Sequence, residues 1–171
     1  MDSCHVRVLT STYAQAAMPD QPVGVLGRPG QPAEPGHPEG WRGPDWRIFD
    51  ATPRCGKDVR DWITRVVAQQ GGLADPGDAA LVVSELFTNA VVHGPGGQVL
   101  VANCLWRDGV RIIVCDGGGP ARPEIRQPAR SEEGGRGLQV VDMIAAAWGQ
   151  FRVGAVQVVW CDLESHSRPL G

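Results

Sequence analysis

The sequence predicts an α+β two-layer sandwich: a mixed, mostly antiparallel sheet with helices on one face. Two observations carry this. First, β-rich runs come in pairs around short turns, QVLVANCLW and VRIIVCD around Asp108-Gly109, then FRV and VQVVWCDL around Gly154-Ala155. Such pairs read as antiparallel hairpins. Second, three helical stretches are interspersed with them, so the order is strand, helix, helix, two strands, helix, two strands. Hairpins interleaved with helices favour one sheet covered by a helical layer.

Each element has a local reason. From Met18 to Pro44 the chain is rich in Pro and Gly without periodicity. Residues 1–44 are therefore expected to form a disordered arm, because such a segment buries too little apolar area to offset its entropy. VRVLTSTY within it reads either as an edge strand or as a structureless tail. The domain is expected over 45–165, with 166–171 as a tail. WRIF (Trp46 to Phe49) reads as a short strand. Thr52-Pro53 reads as an N-cap with proline at the first helical position. Val59, Trp62, Ile63, Val66 and Val67 then recur at helical spacing, and Gly71-Gly72 closes the helix. Asp75-Pro76 opens a second helix running to about His93, with Gly94-Pro95 as the stop. A polar, glycine-rich stretch from Gly117 to Gly137 leads to a third helix, Leu138 to about Trp148.

The bulk numbers exclude several classes. A chain of 171 residues accommodates one ordinary domain. A net charge of -3 gives no footprint for nucleic acid or an anionic membrane. The five cysteines are odd in number and none has a partner at metal-ligand spacing, so reduced thiols in a reducing cytoplasm are expected. No run reaches transmembrane length. The four histidines are scattered, which argues against zinc. No phosphate-binding G-x-x-x-x-G-K-[ST] loop is present, since Gly56-Lys57 is followed by Asp58.

Three features carry chemistry. The second helix is apolar on most sides, yet Glu85, Asn89 and His93 follow one another at i+4 steps and share one face. That stripe is either a solvent face or the lining of a ligand cleft, because an ionised carboxylate buried without a partner costs several kcal/mol. Asp116 ends a β-run and precedes Gly117, Gly118 and Gly119. This reads either as a glycine turn or as a carboxylate placed to accept a hydrogen bond from an exocyclic amine. In EEGGRGLQVV, Gly134, Gly135 and Gly137 precede a helix whose N-terminal N–H groups are able to cradle phosphate oxygens.

Together, ELFTNAVVHG, DGGGP and GGRGL, in that order, resemble the three nucleotide-binding boxes of the GHKL ATPase superfamily. Within it the chain is most similar to the anti-sigma-factor serine kinases of bacteria, the SpoIIAB and RsbW type. The resemblance covers about Trp46 to Leu163 and implies a Bergerat-type ATP-binding fold with ATP and Mg²⁺ as cofactors. By it, Asn89 ligates Mg²⁺, Glu85 is the general base toward an attacking hydroxyl, and His93 is a positioning group. Asp116 recognises the adenine amino group, with Gly118 as the glycine of its D-x-G. Gly135, Arg136, Gly137 and Leu138 form the helix start at the triphosphate. Arg126, Arg130 and Arg136 are available to the terminal phosphate, and Arg130 is preferred. The loop before that helix reads as a small lid.

One departure concerns the last strand. The family often carries Thr or Ser two residues before its Trp, assisting adenine binding through water, and here that position is Val158. The implied activity is serine/threonine phosphorylation of a small anti-sigma-factor antagonist of the STAS type, with a sigma factor or similar regulator as a second partner. Neither nucleic acid nor a membrane is an expected direct partner, and a homodimer is among the expected states. Two other readings remain open at this point: an ATP-dependent interaction module with little kinase activity, and the ATP-binding half of a two-component histidine kinase. Against the latter, the chain has no long helix pair with a phosphoacceptor His.

Overall fold

The computed structural model describes residues 42–106, 109–117 and 135–164. Strand β1 (Arg42–Asp50) leads through a 3-10 turn (Pro53–Cys55) into helix α1 (Gly56–Ala68) and then α2 (Pro76–His93). The hairpin β2 (Gln98–Trp106) and β3 (Gly109–Asp116) follows, then α3 (Gly135–Ile144) and the hairpin β4 (Ala147–Val153) and β5 (Val156–Glu164). The five strands form one sheet in the order β1-β2-β3-β5-β4, and each adjacent pair is antiparallel. The α+β sandwich is thus as expected, with an antiparallel sheet rather than a mixed one. The first strand starts at Arg42, which takes three residues of the expected arm into β1. The VRVLTSTY segment lies outside the described residues.

Helix α1 buries Val59, Trp62, Ile63 and Val67 along one face. Its first turn differs from the expectation at Thr52-Pro53. A three-residue 3-10 turn precedes the α-helix, and the Thr52 hydroxyl donates to Cys55 Sγ (3.5 Å) instead of capping a backbone N–H. Short 3-10 segments of this kind commonly tighten helix ends. Helix α2 is capped as predicted: the Asp75 carboxylate accepts from the N–H groups of Gly77 (2.7 Å) and Asp78 (3.1 Å). It buries Ala79, Val82, Val83, Leu86, Phe87 and Ala90, which explains why so few of its sides are polar.

The third helix is shifted relative to the reading Leu138 to Trp148. It starts at Gly135 and stops at Ile144, and Trp148 lies in β4 opposite Cys161. Sheet pairing overrides the helical propensity of the Ala145-Ala146-Ala147 run. The Ala146 N–H donates to the Asp162 carbonyl (2.9 Å), and the Trp148 indole N–H donates to Asp142 Oδ1 (3.0 Å).

All three helices pack on one face of the sheet, against Val99, Val101, Val110, Ile112, Cys161 and Leu163. Phe49 of β1 joins them, 6.0 Å from Trp62 and 6.3 Å from Phe87 between ring centroids. The opposite face carries a second buried cluster that includes Leu100, Ala102, Cys104, Cys115, Val158 and Trp160. Strands β2, β3 and β5 are therefore buried on both faces, which is why their sequences read as continuous apolar runs rather than alternating ones.

Candidate nucleotide site

Antiparallel register decides which side chains meet. Asp116, the last residue of β3, stands opposite Gln157 of β5, and Gln157 stands opposite Arg152 of β4. Opposed residues share a face, so Asp116, Gln157 and Arg152 form one polar row across three neighbouring strands. It lies on the helix side of the sheet, at the end where α2 stops. Gly94 closes α2 there. A Cβ at Gly94 would collide with the Ala90 carbonyl, and the position stands against the Asp116 carboxylate, 3.4 Å from Cγ, so the helix end and the end of β3 meet here.

Between α2, α3 and this row lies a cavity of about 260 Å³. Its polar lining is Asn89, His93, Asp116, Gln150, Arg152 and Gln157. Leu86, Ala90, Val114, Leu138 and Val159 supply the apolar part. A mainly concave site with a few convergent polar groups is the usual form of a small-molecule pocket, and typical volumes begin at roughly 300 Å³.

Glu85 is placed differently from Asn89 and His93. It sits one turn earlier on α2, outside the cavity lining, with its carboxylate against the first turn of α3. A Cβ at Gly137 would collide with Glu85 Oε2, so the glycine lets the carboxylate approach the helix in its present rotamer. The N-terminus of α3 presents N–H groups and a partial positive charge, which favours a carboxylate or phosphate nearby. Gly135 and Arg136 are the first two residues of that helix. The described residues thus bring together Glu85, Asn89, His93, Asp116, Gly137 and Leu138 around one cleft between α2, α3 and the sheet. Gly118, Arg126, Arg130 and the lid segment lie outside them.

The expectation about Val158 is corrected in its geometry. Val158 points to the opposite face of the sheet, into the second core, and Gln157 is the β5 side chain beside Asp116. Gln157 is held by three contacts. Its Oε1 accepts from Arg152 Nε (2.9 Å), and its Nε2 donates to the carbonyls of Phe151 (3.3 Å) and, at longer range, Val158 (3.4 Å). Gln150, Arg152 and Gln157 were not among the residues expected at the site. The available signal was their shared phase with Trp148, Val159 and Cys161, but a strand pair apolar on both faces conceals which phase faces the cleft.

The donor set suits Mg²⁺ accompanied by phosphates. Asn89 offers one hard oxygen in the cavity, and among the described residues no group of three or more His, Cys, Asp or Glu could hold a metal by itself. Mg²⁺ is ordinarily held by one or two protein oxygens together with substrate phosphates and water. No helix among the described residues is long and apolar enough to cross a membrane.

Comparison with known proteins bears on the fold and the family. A crystal structure of the RsbU and RsbW domains of Rv1364c from Mycobacterium tuberculosis aligns over 72% of this chain and 33% of that one, at 21% identity and a TM-score of 0.55. The likeness is one of fold, and this chain covers about a third of that chain's length. No curated protein matches the sequence. The sequence profile described as "Histidine kinase-like ATPase domain" matches residues 49–160, which take in every residue lining the cavity. The chain belongs to the histidine kinase-like ATPase domain family.

Proposed function

We propose that the protein binds Mg-ATP and acts as a serine/threonine protein kinase of the anti-sigma-factor type. Its substrate would be a small STAS-type antagonist, and a sigma factor or similar regulator its second partner. The observation that carries the catalytic part is the placement of Glu85. Its carboxylate lies at the N-terminal turn of α3 beside Gly137, one helical turn from Asn89.

The residues divide the work. Asp116 accepts a hydrogen bond from the exocyclic amine of the base, which the carbonyl of guanine cannot provide. Leu86, Ala90 and Val159 contact the ring faces. Backbone N–H groups at the start of α3 receive phosphate oxygens. Asn89 would hold Mg²⁺ through its amide oxygen, and the ion would supply charge neutralisation on the phosphates. Glu85 accepts the proton of the attacking serine hydroxyl as its oxygen bonds to the terminal phosphorus. The bond from that phosphorus to the bridging oxygen breaks, and ADP leaves with the bonding pair.

The test combines titration with Mg-ATP and transfer of labelled phosphate to an antagonist protein from the same organism. Wild type is expected to bind and to transfer; Glu85→Ala is expected to bind within about threefold and to lose transfer. No adenine-nucleotide binding by wild type would remove the reading altogether. Binding without transfer to any antagonist would reduce it to a nucleotide-dependent interaction module.

A further inference from the structure

The cavity holds a cation that nothing in the proposed reaction uses. Arg152 lines it from the edge strand β4, two strands from Asp116, with its Nε–H committed to Gln157 Oε1 (2.9 Å). Gln157 is itself tied through Nε2 to the Phe151 carbonyl (3.3 Å), so the amide cannot turn without giving up a bond. The arrangement leaves the planar end of the guanidinium, with its two terminal nitrogens, directed by a braced partner rather than by solvent alone.

Position decides what that cation meets. The row Asp116, Gln157, Arg152 spans two inter-strand gaps, about 10 Å at the usual sheet spacing. Its Asp116 end is where the proposed function places the base amine. The phosphate-receiving end of the cleft is at Glu85 and Gly137, on the other side of Asn89, and neither residue lines the cavity. Arg152 shares the cavity and the row with Asp116, and beside a base bound there a planar cation stacks on an aromatic face or donates to a ring nitrogen.

We propose that Arg152 is a base-contacting residue of this site and that Gln157 is its positioning residue. This rests on the nucleotide-binding reading above and deepens it. Gln157 contributes through Arg152: it fixes the guanidinium before ligand arrives, which lowers the ordering cost of binding.

The experiment uses the full chain and two probes, Mg-ATP and Mg-tripolyphosphate, which has the phosphates without the base. Arg152→Ala is expected to weaken Mg-ATP about five- to thirtyfold and to leave tripolyphosphate within twofold. Arg152→Lys, which keeps the charge but not the plane, is expected to recover only part of the loss. Gln157→Ala is expected to weaken Mg-ATP less than Arg152→Ala, and the double variant to be no weaker than Arg152→Ala alone. Chemical unfolding of each variant checks that the fold persists. Unchanged ATP affinity in Arg152→Ala, or equal losses for ATP and tripolyphosphate, overturns the assignment of Arg152. Fully additive losses in the double variant overturn the positioning role of Gln157. A wild type that binds neither probe fails the nucleotide reading itself, which is a separate result.

Discussion

The Glu85 carboxylate lies against Gly137 in the first turn of α3, where an added Cβ would push Oε2 from its present place. Glu85 and Gly137, 52 positions apart in sequence, are thereby brought together at the point where the proposed reaction needs a carboxylate and phosphate-receiving N–H groups to meet. The glycine is a spacing device, and its role is testable against its own propensity.

Gly137→Ala would ordinarily favour a helix by up to about 1 kcal/mol. Here the new methyl meets the end of the Glu85 side chain, which can turn aside, so the clash costs less than the roughly 1–3 kcal/mol of overpacking in a rigid core. The expected outcome is a urea stability within about 1 kcal/mol of wild type and slower phosphate transfer, because the Glu85 carboxylate is moved from its place. Adding Glu85→Ala removes the obstacle, so the double variant should show the full helix-propensity gain of the alanine. A double-mutant cycle measures this as a coupling of about 0.5–3 kcal/mol, as found for residues in contact.

Asn89→Ala separates the metal from the base. Asn89 lines the cavity with the one amide oxygen that α2 places there, whereas Asp116 and Arg152 lie at its sheet end. The variant is expected to lose most of the gain in ATP affinity that Mg²⁺ gives wild type, while retaining metal-free binding within about threefold. Calorimetric titration with and without Mg²⁺ reads both quantities.

Local chemistry made much of this legible in the sequence. Asp75-Pro76 gives the start of α2 because an aspartate side chain satisfies N–H groups the helix cannot, and i+4 spacing puts Glu85, Asn89 and His93 on one face. Spacing alone left that face either solvent or cleft. It became a cleft because β3 and β5 bring Asp116 to its end and α3 closes on Glu85, contacts set by the packing of distant segments. The phase of β5 was hidden for a related reason. With Val156 and Val158 buried on one face and Cys161 and Leu163 on the other, hydrophobic pattern does not tell which side carries Gln157. The end of α3 was misread because the alanines before Trp148 favour helix, while pairing of β4 with β5 favours strand.

Asp75→Ala tests the cap. Removing an N-cap carboxylate that bonds two backbone N–H groups costs about 1 kcal/mol, with a range of about 0.5–2. The urea midpoint should fall with an unchanged slope, and Asp75→Ser should restore most of it. ATP affinity should stay within twofold, because the cap lies at the opposite end of α2 from Asn89 and His93.

Arg111→Met addresses the face of the sheet away from the helices. There Arg111 makes a two-pronged pair with Asp162, Nε to Oδ1 at 2.6 Å and a terminal nitrogen to Oδ2 at 2.8 Å, and its guanidinium lies 4.4 Å from the Trp160 ring centroid. The two side chains are only 21% and 13% exposed. Burial pushes the Asp162 carboxyl up, and the hydrogen bonds and charge of Arg111 pull it back. Removing one member of such a pair costs about 3–5 kcal/mol, whereas replacing both by apolar groups is often neutral or stabilising. Arg111→Met should therefore be strongly destabilised, and Arg111→Met with Asp162→Leu should recover most of the loss. The single variant also gains a pH dependence of defined sign. With the guanidinium gone, the folded carboxyl titrates still further above its unfolded value of about 3.9, so the native state binds more protons than the unfolded chain. That contribution is present in full below the unfolded value and is lost as pH rises through the folded one. Urea unfolding should accordingly find Arg111→Met nearer to wild type at pH 4.5 than at pH 8, and the double variant should not show this trend.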